Sequence, residues 1–526
     1  IKRVTEKLEK AGVDYRMLVL PDHPTPVAIR THVSDPVPYM LYDSTKPQNN
    51  TWNYNEKEAK QSGNYIAEGH TIVIYLFNIK EKERKKKMVK VVKFGGSSLA
   101  SAEQFKKVGN IIKADESRRY VVPSAPGKRF SDDTKVTDML YKCYAQAEAG
   151  KNFDTQLKAI KDRYKEIIKG LGLKLSLDEQ FETIKKQFES LAGKDYAASR
   201  GEYLNGIIMA NYLGYEFIDA ATVICFDKDG EFNSEKTNDV LTARLEKTKN
   251  AVIPGFYGAK PNGEVKTFSR GGSDVTGSIV ARALKADVYE NWTDVSGFLA
   301  ADPRIVNNPK PITIITYKEL RELSYMGASV LHESAIFPVR KEGIPINIRN
   351  TNAPEDKGTM IVETTCSVPE YTITGIAGKK GFVSIGIDKD MMNSEIGFGR
   401  KVLQVFEDNG ISFEHMPSGI DTMTVFVHQD EFVEKEQKVL AQLHRAVKPD
   451  LIELESDLAL IAVVGRGMRN SSGIAGAIFS ALAKAKVNVK MIDQGSSELN
   501  IIIGVRNKYF EDAIKAIYNA FIPEEN

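Results

Sequence analysis

Residues 89–98 read VKVVKFGGSS, a run of β-branched and apolar residues that ends in glycines. Such a run predicts a buried strand followed by a tight turn. Further strand-like stretches alternate with helical ones up to about residue 349, at residues 120–123, 252–255, 287–293 and 345–349. This alternation predicts an α/β fold with a mainly parallel sheet sandwiched by helices.

The turn that ends the first strand, KFGGSS at residues 93–98, has the composition of a phosphate-binding loop. Glycines let the backbone approach a phosphate closely, and Lys93 supplies a positive charge where charge develops during phosphoryl transfer. The alternative is an ordinary glycine turn between strand and helix, because the motif is not a Walker loop.

A second glycine loop, SRGGSD at residues 269–274, joins a guanidinium, a hydroxyl and a carboxylate within six residues. Arg270 could hold a substrate carboxylate with two hydrogen bonds, and Asp274 could orient the lysine of the first loop. Taken alone, this loop could also be a solvated turn. Two glycine loops on separate strands of one sheet favour a shared site.

Polar residues also follow the strand at residues 287–293, in WTDV at 292–295 and DPR at 302–304. Ligands of open α/β sheets gather at the carboxyl ends of the strands, so these residues are expected at the same edge as the two glycine loops. Nucleotide contacts are the functional interpretation. The alternative is an Asx turn formed by Asp294.

The composition gives no sign of a macromolecular or membrane partner. The 526 residues contain 72 Lys and Arg against 70 Asp and Glu, a net charge of +2, which favours neither nucleic acid nor membrane. The cysteines Cys143, Cys225 and Cys366 lack the spacing of a disulfide framework or a zinc site, so a reducing, cytoplasmic setting is expected. No apolar run reaches the roughly 18 residues of a membrane span.

The chain divides into several segments by composition. The run KEKERKKK, residues 80–87, predicts a charged linker, since it has no aromatic residues to suggest a nucleic-acid patch. Residues 146–195 are rich in Lys, Glu, Leu and Gln and predict a helical insertion or lid. Beyond residue 369 the order strand, loop, helix, strand, strand occurs twice. Such βαββ units need a cover for one sheet face, so side-by-side pairing or dimerisation is expected.

These motifs together resemble a known family. KFGGSS, VTD at 136–138, SRGE at 199–202, IPGF at 253–256, SRGGSD and the WTDV to DPR segment follow one another in the order seen in aspartate kinases of the amino acid kinase family. The C-terminal repeats resemble the paired ACT domains of that family. The resemblance covers about residue 88 to the end and implies a catalytic domain at 88–368 and ACT domains at 369–450 and 451–526.

The resemblance also implies an activity, the transfer of the γ-phosphate of ATP to the β-carboxylate of L-aspartate, and roles for individual residues. Lys93 and Asp274 would be catalytic. The residues implied to bind aspartate are Ser124, Thr137, Glu202, Arg270, Gly271 and Ser273, with Glu202 facing its ammonium and Arg270 its α-carboxylate. Those implied to bind the nucleotide are Gly95, Gly96, Ser97, Thr293, Asp294 and Arg304.

The implied chemistry needs no general base, because a carboxylate nucleophile is already ionised at neutral pH. Mg²⁺ bridging the ATP phosphates is expected, although no carboxylate pair in the sequence suggests its cage. Two positions depart from the family pattern. Leu299 stands where several relatives have a nucleotide-contacting tyrosine, and Ser329 stands where they have a lysine. Both positions bear on contacts to the adenine and ribose, not on the phosphate contacts.

The first ACT-like unit contains a candidate allosteric site. By resemblance it would bind a pathway product, with lysine as the expected inhibitor of an enzyme that begins lysine, threonine and methionine biosynthesis. Its residues flank a helix start and the start of a strand: Met391, Asn393, Ser394, Phe398, Ser418, Gly419, Ile420 and Asp421. Helix N–H groups and a strand edge can together hold an amino acid. The alternative is that MPSGID, residues 416–421, forms only a turn.

The N-terminal segment, residues 1–79, resembles the C-terminal end of cofactor-independent phosphoglycerate mutases of the alkaline phosphatase superfamily. The resemblance rests on DHPTP, TH and DPVP, whose Asp22, His23 and His32 would be vestigial metal ligands. The remaining ligands and the nucleophile of that family lie upstream of such a segment, so it is expected to be inactive. Either a fusion enzyme or two joined reading frames would account for it.

Two further functions stay open from the sequence. The first is a kinase for a related acid such as glutamate or acetylglutamate. The second is an amino-acid-sensing regulatory protein with a decayed kinase site, which Leu299 and Ser329 motivate.

Overall fold

The computed structural model describes residues 2–20, 37–45, 55–62, 88–269, 271–328, 331, 336–365, 369, 371–469 and 471–522. The chain divides into two compact units, Ile1–Met88 and Val89–Asn526. Over the described ranges, no helix combines the length and the apolar character that crossing a bilayer requires.

The first unit contains few described elements. Helix α1 spans Lys2–Lys10, strands β1 (Arg16–Val19) and β2 (Met40–Asp43) pair in antiparallel fashion, and helix α2 spans Glu56–Gln61. The candidate metal ligands Asp22, His23 and His32 and the linker at 80–87 lie outside the described residues. The mutase resemblance therefore stays a prediction.

The second unit begins with an eight-stranded sheet that bears the two glycine loops. Its strands in chain order are β3 (Lys90–Phe94), β4 (Arg118–Pro123), β5 (Glu216–Phe217), β6 (Ala251–Val252), β9 (Val288–Thr293), β10 (Ile314–Thr316), β11 (Ile346–Asn350) and β12 (Thr359–Val362). The spatial order is β10-β12-β11-β9-β3-β4-β6-β5, and only β11 and β12 pair in antiparallel fashion. The predicted mainly parallel sheet is confirmed. A separate two-stranded ribbon consists of β7 (Tyr257–Ala259) and β8 (Val265–Thr267).

Helices cover both faces of this sheet. In chain order they are α3 (Ala102–Lys113), α4 (Val136–Glu148), α5 (Asp154–Gly170), α6 (Asp178–Glu189), α7 (Lys194–Leu213), α8 (Ser234–Leu245), α9 (Gly272–Leu284), α10 (Tyr317–Tyr325) and α11 (Phe337–Lys341). On one face Val91 and Tyr289 are buried with α9, and on the other Val92 and Trp292 are buried with α5. The α5 and α6 helices lie within the predicted insertion. They bury Ile160 and Phe181 in the same core as the sheet and so form part of it, not a detached lid.

One predicted strand is shorter than expected. The sequence indicates a strand at residues 252–255, whereas β6 ends at Val252. Pro254 has no N–H for a sheet ladder, yet Ile253 N and Gly255 N still donate to the carbonyls of Val121 and Pro123, at 2.9 and 3.1 Å. The backbone therefore follows β4 beyond the end of the regular strand.

The rest of the second unit is built on a six-stranded antiparallel sheet. Its strands are β13 (Gly375–Asp388), β14 (Phe413–His415), β15 (Thr422–His428), β16 (Leu451–Val464), β17 (Val489–Asp493) and β18 (Asn500–Arg506), in the spatial order β14-β15-β13-β16-β18-β17. The helices are α12 (Phe398–Asp408), α13 (Gln429–Phe432), α14 (Glu436–Val447), α15 (Ile474–Lys484) and α16 (Phe510–Phe521). The two predicted strand-helix-strand-strand repeats are present, and each is followed by a helix, α14 or α16, that the repeat pattern did not include.

The two repeats share their longest strands. The second half of β13 pairs with β15 and contributes Ile385 to a core with α12 and α14. The first half of β13 pairs with the second half of β16 and contributes Ile376 to the core beneath α16. The second half of β16 also pairs with β18. A boundary between residues 450 and 451, as the sequence suggests, coincides with the start of β16. The first half of that strand lies in the sheet of the first repeat.

Candidate active site

Lys93 lies near the carboxyl end of β3 at the centre of the large sheet, and its ammonium is buried within a polar cluster. Its Nζ atom is 2.5 Å from Oδ1 of Asp274 and 3.4 Å from Oδ1 of Asn291. The Asn291 amide donates to the same Asp274 oxygen at 2.9 Å. The structure thus brings together the predicted catalytic pair, Lys93 and Asp274, from the two glycine loops.

The first glycine loop is closely packed against a second backbone segment. A Cβ atom added to Gly96 would lie 2.9 Å from the carbonyl oxygen of Ala125, and one added to Gly127 would lie 2.6 Å from the Gly96 carbonyl carbon. The Gly127 N–H donates to the Gly96 carbonyl at 2.8 Å. Gly96 is therefore required by close approach of the backbone. Ser97 begins the short helical turn Ser97–Leu99 directly after it.

The second glycine loop leads into α9. Gly271 adopts a left-handed conformation with φ of 59°, and Ser273 and Asp274 occupy the first turn of the helix. Gly255 packs against Ser273, since a Cβ atom on the glycine would lie 2.6 Å from the serine Oγ. Arg270 lies outside the described residues, so its predicted contact with the substrate α-carboxylate stays a prediction.

Most of the other residues predicted to bind aspartate lie around β4 and α7. Ser124 follows β4, and its carbonyl accepts the Asn205 amide at 2.6 Å. Thr137 lies in the first turn of α4, where its Oγ1 would be 3.8 Å from a Cβ atom added to Gly201. Glu202 is the next residue of α7. Ser124, Thr137 and Glu202 therefore lie at one end of the sheet.

Glu202 has the environment of a ligand-binding carboxyl group. It is 5% exposed, and its Oε2 atom has no hydrogen-bond partner among the described residues. Burial raises the pKa of Glu202 to about 8, although a hydrogen bond from the Ala125 backbone favours the ionised form. A buried carboxyl oxygen without a partner is suited to receive a cationic group from a ligand.

The predicted nucleotide residues divide into two groups. Thr293 is the last residue of β9 and Asp294 follows it. The Thr293 carbonyl accepts from the N–H of Thr351, whose hydroxyl is 2.8 Å from Oγ of Ser98. This links them to the first glycine loop. Arg304 instead has a largely exposed side chain paired with Asp302 at 2.6 Å. Its predicted contact with the nucleotide stays a prediction.

Sequence reasoning missed Asn291 and two residues of α5. The Arg163 guanidinium donates to the Gly127 carbonyl at 2.5 Å, and the Tyr164 hydroxyl donates to the Gly201 carbonyl at 2.7 Å. Neighbouring side chains of one helix thus hold the backbone beside Gly96 and beside Glu202. For Asn291 a signal was present, because an amide inside an apolar strand needs hydrogen-bond partners.

The donor atoms of this site fit a magnesium ion that is carried by a nucleotide. In the part of the chain that the structure describes, no group of three or more His, Cys, Asp or Glu side chains could hold a metal. Asp274 is engaged by Lys93 and Asn291, and Asp294 accepts from Thr293 at 3.1 Å. Isolated carboxylates of this kind suit an ion that keeps phosphate and water ligands.

The candidate allosteric residues also come together. Met391, with φ of 61°, donates its N–H to Oδ1 of Asp421 at 3.0 Å, and the Asn393 N–H donates to the Ile420 carbonyl at 3.1 Å. Ser394 lies in the same short turn, and Phe398 begins α12. Ser418 and Gly419 bond to the start of β15. Met391 and Ile420 are 70% and 69% exposed, so apolar surface is present at this junction of two loops.

A buried carboxylate joins the catalytic sheet to the regulatory sheet. Glu319 of α10 is fully buried and accepts from the Thr374 hydroxyl at 2.5 Å and the Arg466 N–H at 2.9 Å. The Arg466 guanidinium lies 3.2 Å from its Oε2. Burial alone would raise the pKa of Glu319, but the hydrogen bonds from Thr374, Thr316 and Arg466 hold that pKa below its usual value.

Comparisons with protein families, with known sequences and with solved structures all find aspartate kinases or their domains. The model of the amino acid kinase family matches residues 88–350, and an ACT domain model matches residues 461–521. Aspartokinase 3 of Bacillus subtilis is 41% identical over 450 residues, covering 82% of this chain and 98% of that protein. The aspartate kinase structure of Clostridium acetobutylicum, described as an allosteric enzyme, is 54% identical with a TM-score of 0.77, covering 82% and 100% of the two chains.

A more distant structure has a similar fold. Escherichia coli aspartokinase III in complex with lysine and aspartate has a TM-score of 0.63 at 24% identity, covering 82% of this chain and 99% of that one. At this identity the similarity shows the fold alone.

Proposed function

This chain belongs to the aspartate kinases of the amino acid kinase family, ATP-dependent kinases acting on aspartate, and on that basis we propose its reaction in detail. It transfers the γ-phosphate of ATP to the β-carboxylate of L-aspartate and forms 4-phospho-L-aspartate, the first step of lysine, threonine and methionine biosynthesis. The observation that carries this proposal is the cluster of Lys93, Asp274 and Asn291 between the two glycine loops.

In the proposed reaction, the chain positions two anions and offsets the charge that develops between them. Lys93 stabilises the transferring phosphoryl group, and the backbone around Gly96 approaches the nucleotide phosphates. Asp274 keeps the ammonium in place before the nucleotide arrives. Mg²⁺ bound to the nucleotide phosphates would neutralise part of their charge. Because the aspartate side chain is already ionised, no protein group needs to remove a proton.

On the aspartate side, Glu202 is proposed to receive the substrate ammonium, and Ser124, Thr137 and Ser273 to line the same end of the sheet. The unpartnered Oε2 of Glu202 supports this role. Arg270 is proposed to bind the α-carboxylate. The intact contact between Lys93 and Asp274 argues against a decayed kinase site, the alternative that Leu299 and Ser329 suggested.

The reaction is tested by measuring ADP release from ATP and magnesium with aspartate, glutamate or N-acetylglutamate as acceptor. We expect turnover with aspartate and at least a hundredfold lower kcat/KM with the other two acids. The variant Arg270→Ala serves as the control and should raise the KM for aspartate. Equal turnover of N-acetylglutamate would overturn the assignment of the acceptor. Lysine binding without any ATP turnover would favour a purely regulatory protein.

The affinity for aspartate is expected to depend on pH through Glu202. With a pKa of about 8, this carboxyl is mainly protonated at pH 7 in the empty site and cannot pair with an ammonium as an anion. We therefore expect the KM for aspartate to fall roughly tenfold or more between about pH 6.5 and pH 8.5, as the carboxyl ionises. Initial rates at saturating ATP across this range measure the effect.

The control for this effect is Glu202→Gln, which should give a high KM that no longer varies with pH, while Glu148→Gln at the exposed end of α4 should behave as the wild type. The contribution of Glu202 to the free energy of unfolding falls as the pH rises, whereas the affinity for aspartate increases. Because the pKa of Glu202 is raised in the folded state, its contribution to stability is present at low pH and is lost as the pH rises through about 8. A KM for aspartate that does not vary with pH in the wild type would contradict the proposal that Glu202 binds the substrate ammonium.

Feedback by lysine is proposed at the loops around Met391 and Asp421. The support is their mutual hydrogen bonds and exposed apolar surface, together with the allosteric character ascribed to the Clostridium enzyme. We also propose a homodimer or higher oligomer joined through the regulatory sheets. Asp421→Ala removes the acceptor of the Met391 N–H and a negative charge. We expect it to weaken lysine inhibition about tenfold or more, since hydrogen bonds to charged groups are worth about 1.5 to 3 kcal/mol.

The measurement is the lysine concentration that halves the aspartate-dependent rate, relative to the uninhibited rate of each variant. Asp408→Ala, at the far end of α12, is the matched control and should leave inhibition unchanged. Threonine is tested in parallel. Inhibition by threonine alone would replace lysine as the effector, and equal lysine inhibition in Asp421→Ala and the wild type would exclude this site.

A further inference from the structure

Asn291 is a polar side chain in the middle of a buried strand. It is 3% exposed, and both ends of its amide contact the two charged groups of the site. The Nδ2 atom donates to Oδ1 of Asp274 at 2.9 Å, and Oδ1 accepts from Nζ of Lys93 at 3.4 Å. A buried amide is stable only when its hydrogen bonds are made, so these two contacts account for its presence in β9.

The register of the sheet brings this amide beside the lysine. Strands β3 and β9 are parallel neighbours in which Lys93 pairs with Asn291, so the two side chains lie on the same face. Tyr289, two residues earlier on β9, is on that face as well, and its hydroxyl donates to the Asp274 carbonyl at 3.0 Å. Strand β9 therefore holds Asp274 at two points, the main-chain carbonyl and the carboxylate.

We propose that Asn291 is a positioning residue for phosphoryl transfer, which fixes the Asp274 carboxylate so that Lys93 can turn from it toward the phosphoryl group without the carboxylate following. The inference rests on the proposed roles of Lys93 and Asp274. The Asp274 oxygen that contacts the ammonium also accepts the amide N–H, so the amide retains it when the ammonium moves.

A neutral amide is suited to this task. It donates to the carboxylate without adding charge, so the ion pair between Lys93 and Asp274 keeps its balance. A carboxylate in its place would repel Asp274 and attract the lysine more strongly, which would hold Lys93 away from the phosphate. A protonated carboxyl, in contrast, could donate an O–H to Asp274 much as the amide donates its N–H.

The experiment uses the full chain and measures ADP release with aspartate across pH 6 to 9. Asn291→Leu removes both hydrogen bonds at similar volume, and we expect kcat to fall at least 30-fold while the KM for aspartate changes less than threefold. Asn291→Asp is expected to lose at least as much activity at pH 8. It should recover at least tenfold, relative to the wild type, as the pH falls to 6 and the introduced carboxyl takes up a proton.

Asn347→Leu is the matched control. Asn347 is a buried asparagine of the neighbouring strand β11, paired in register with Glu290 and therefore on the opposite face from Lys93. We expect its kcat to stay within threefold of the wild type, with both leucine variants compared at equal folded fraction by thermal unfolding.

The outcomes separate this inference from the function on which it rests. A wild-type chain without aspartate-dependent turnover overturns both. If the wild type is active, the inference is overturned by a kcat for Asn291→Leu within threefold of the wild type. It is also overturned by an equal loss in Asn347→Leu, or by a pH profile for Asn291→Asp that parallels the wild type. The last result would reduce Asn291 to a structural role, even if Asn291→Leu were poorly folded.

Discussion

Replacing Lys93 by methionine is expected to lower kcat for aspartate phosphorylation roughly 100- to 1,000-fold. Methionine has a similar length and is tolerated in a buried position, so the change removes the charge and little volume. In the structure the ammonium is the cation of the cluster at the end of β3, 2.5 Å from Asp274. Without it, nothing in that cluster offsets the negative charge that the transferring phosphoryl group carries.

The measurement is the steady-state rate of ADP release at saturating ATP and aspartate. The KM for aspartate should change little, because Glu202 and the residues around β4 bind that substrate in our proposal. Lys106→Met, on the exposed side of α3, is the control for loss of a lysine and should leave kcat within twofold. If kcat of Lys93→Met were within tenfold of the wild type, Lys93 would not be the group that stabilises the phosphoryl group.

Replacing Glu319 by alanine is expected to cost about 3 to 5 kcal/mol of the free energy of unfolding. The carboxylate is fully buried and accepts hydrogen bonds from Thr316, Thr374 and Arg466. Its removal leaves the Arg466 guanidinium in a half-buried position without its counter-charge, and leaves a cavity where α10 meets β16. The Thr316 hydroxyl also loses its partner in the capping box that begins α10.

Urea denaturation of the full chain, followed by circular dichroism, measures this loss. Glu322→Ala on the same helix is the control, because its carboxylate is half-buried and accepts one hydrogen bond from Asn500 at 2.6 Å. We expect that variant to lose about 1 kcal/mol. Adding Arg466→Met to Glu319→Ala should restore part of the stability, since the half-buried charge without a counter-charge then disappears. A loss of under 1 kcal/mol in Glu319→Ala would show that the contacts of Glu319 with Thr374 and Arg466 contribute little to the free energy of unfolding.

The sequence predicts those parts of the site that depend on local pattern. The β-branched run before KFGGSS has few alternatives to a buried strand. The glycines mark two loops, one where the backbone of another segment approaches Gly96 closely and one where Gly271 is left-handed. Lys93 and Asp274 follow from these loops by residue type. For Asn291 the sequence shows only that an amide within a buried strand needs hydrogen-bond partners. It does not identify those partners, because they depend on the register of β9 against β3.

Long-range pairing explains the other differences. Glu319 and Arg466 are separated by 147 residues, and neither lies in a motif with a recognisable function. The ion pair between Arg304 and Asp302, in contrast, joins residues two positions apart, and the nucleotide contact of Arg304 stays a prediction. The repeat pattern also does not predict that β13 and β16 are shared, since each repeat contains a full set of strands along the chain.

The shared strands also determine the order in which the regulatory half can be completed on the ribosome. Gly375 at the start of β13 pairs with Val464 at the end of β16, so the first half of β13 has no partner until the second repeat is under way, whereas its second half can already pair with β15. The segment that contains Ile376 stays unpaired while α12, β14, β15 and α14 are synthesised. Contacts between residues so far apart in the sequence form slowly, and the unpaired segment can meanwhile pair with strands of other chains. A nascent chain stalled between the two repeats would therefore present the unpaired first half of β13 to the quality-control machinery of the cell.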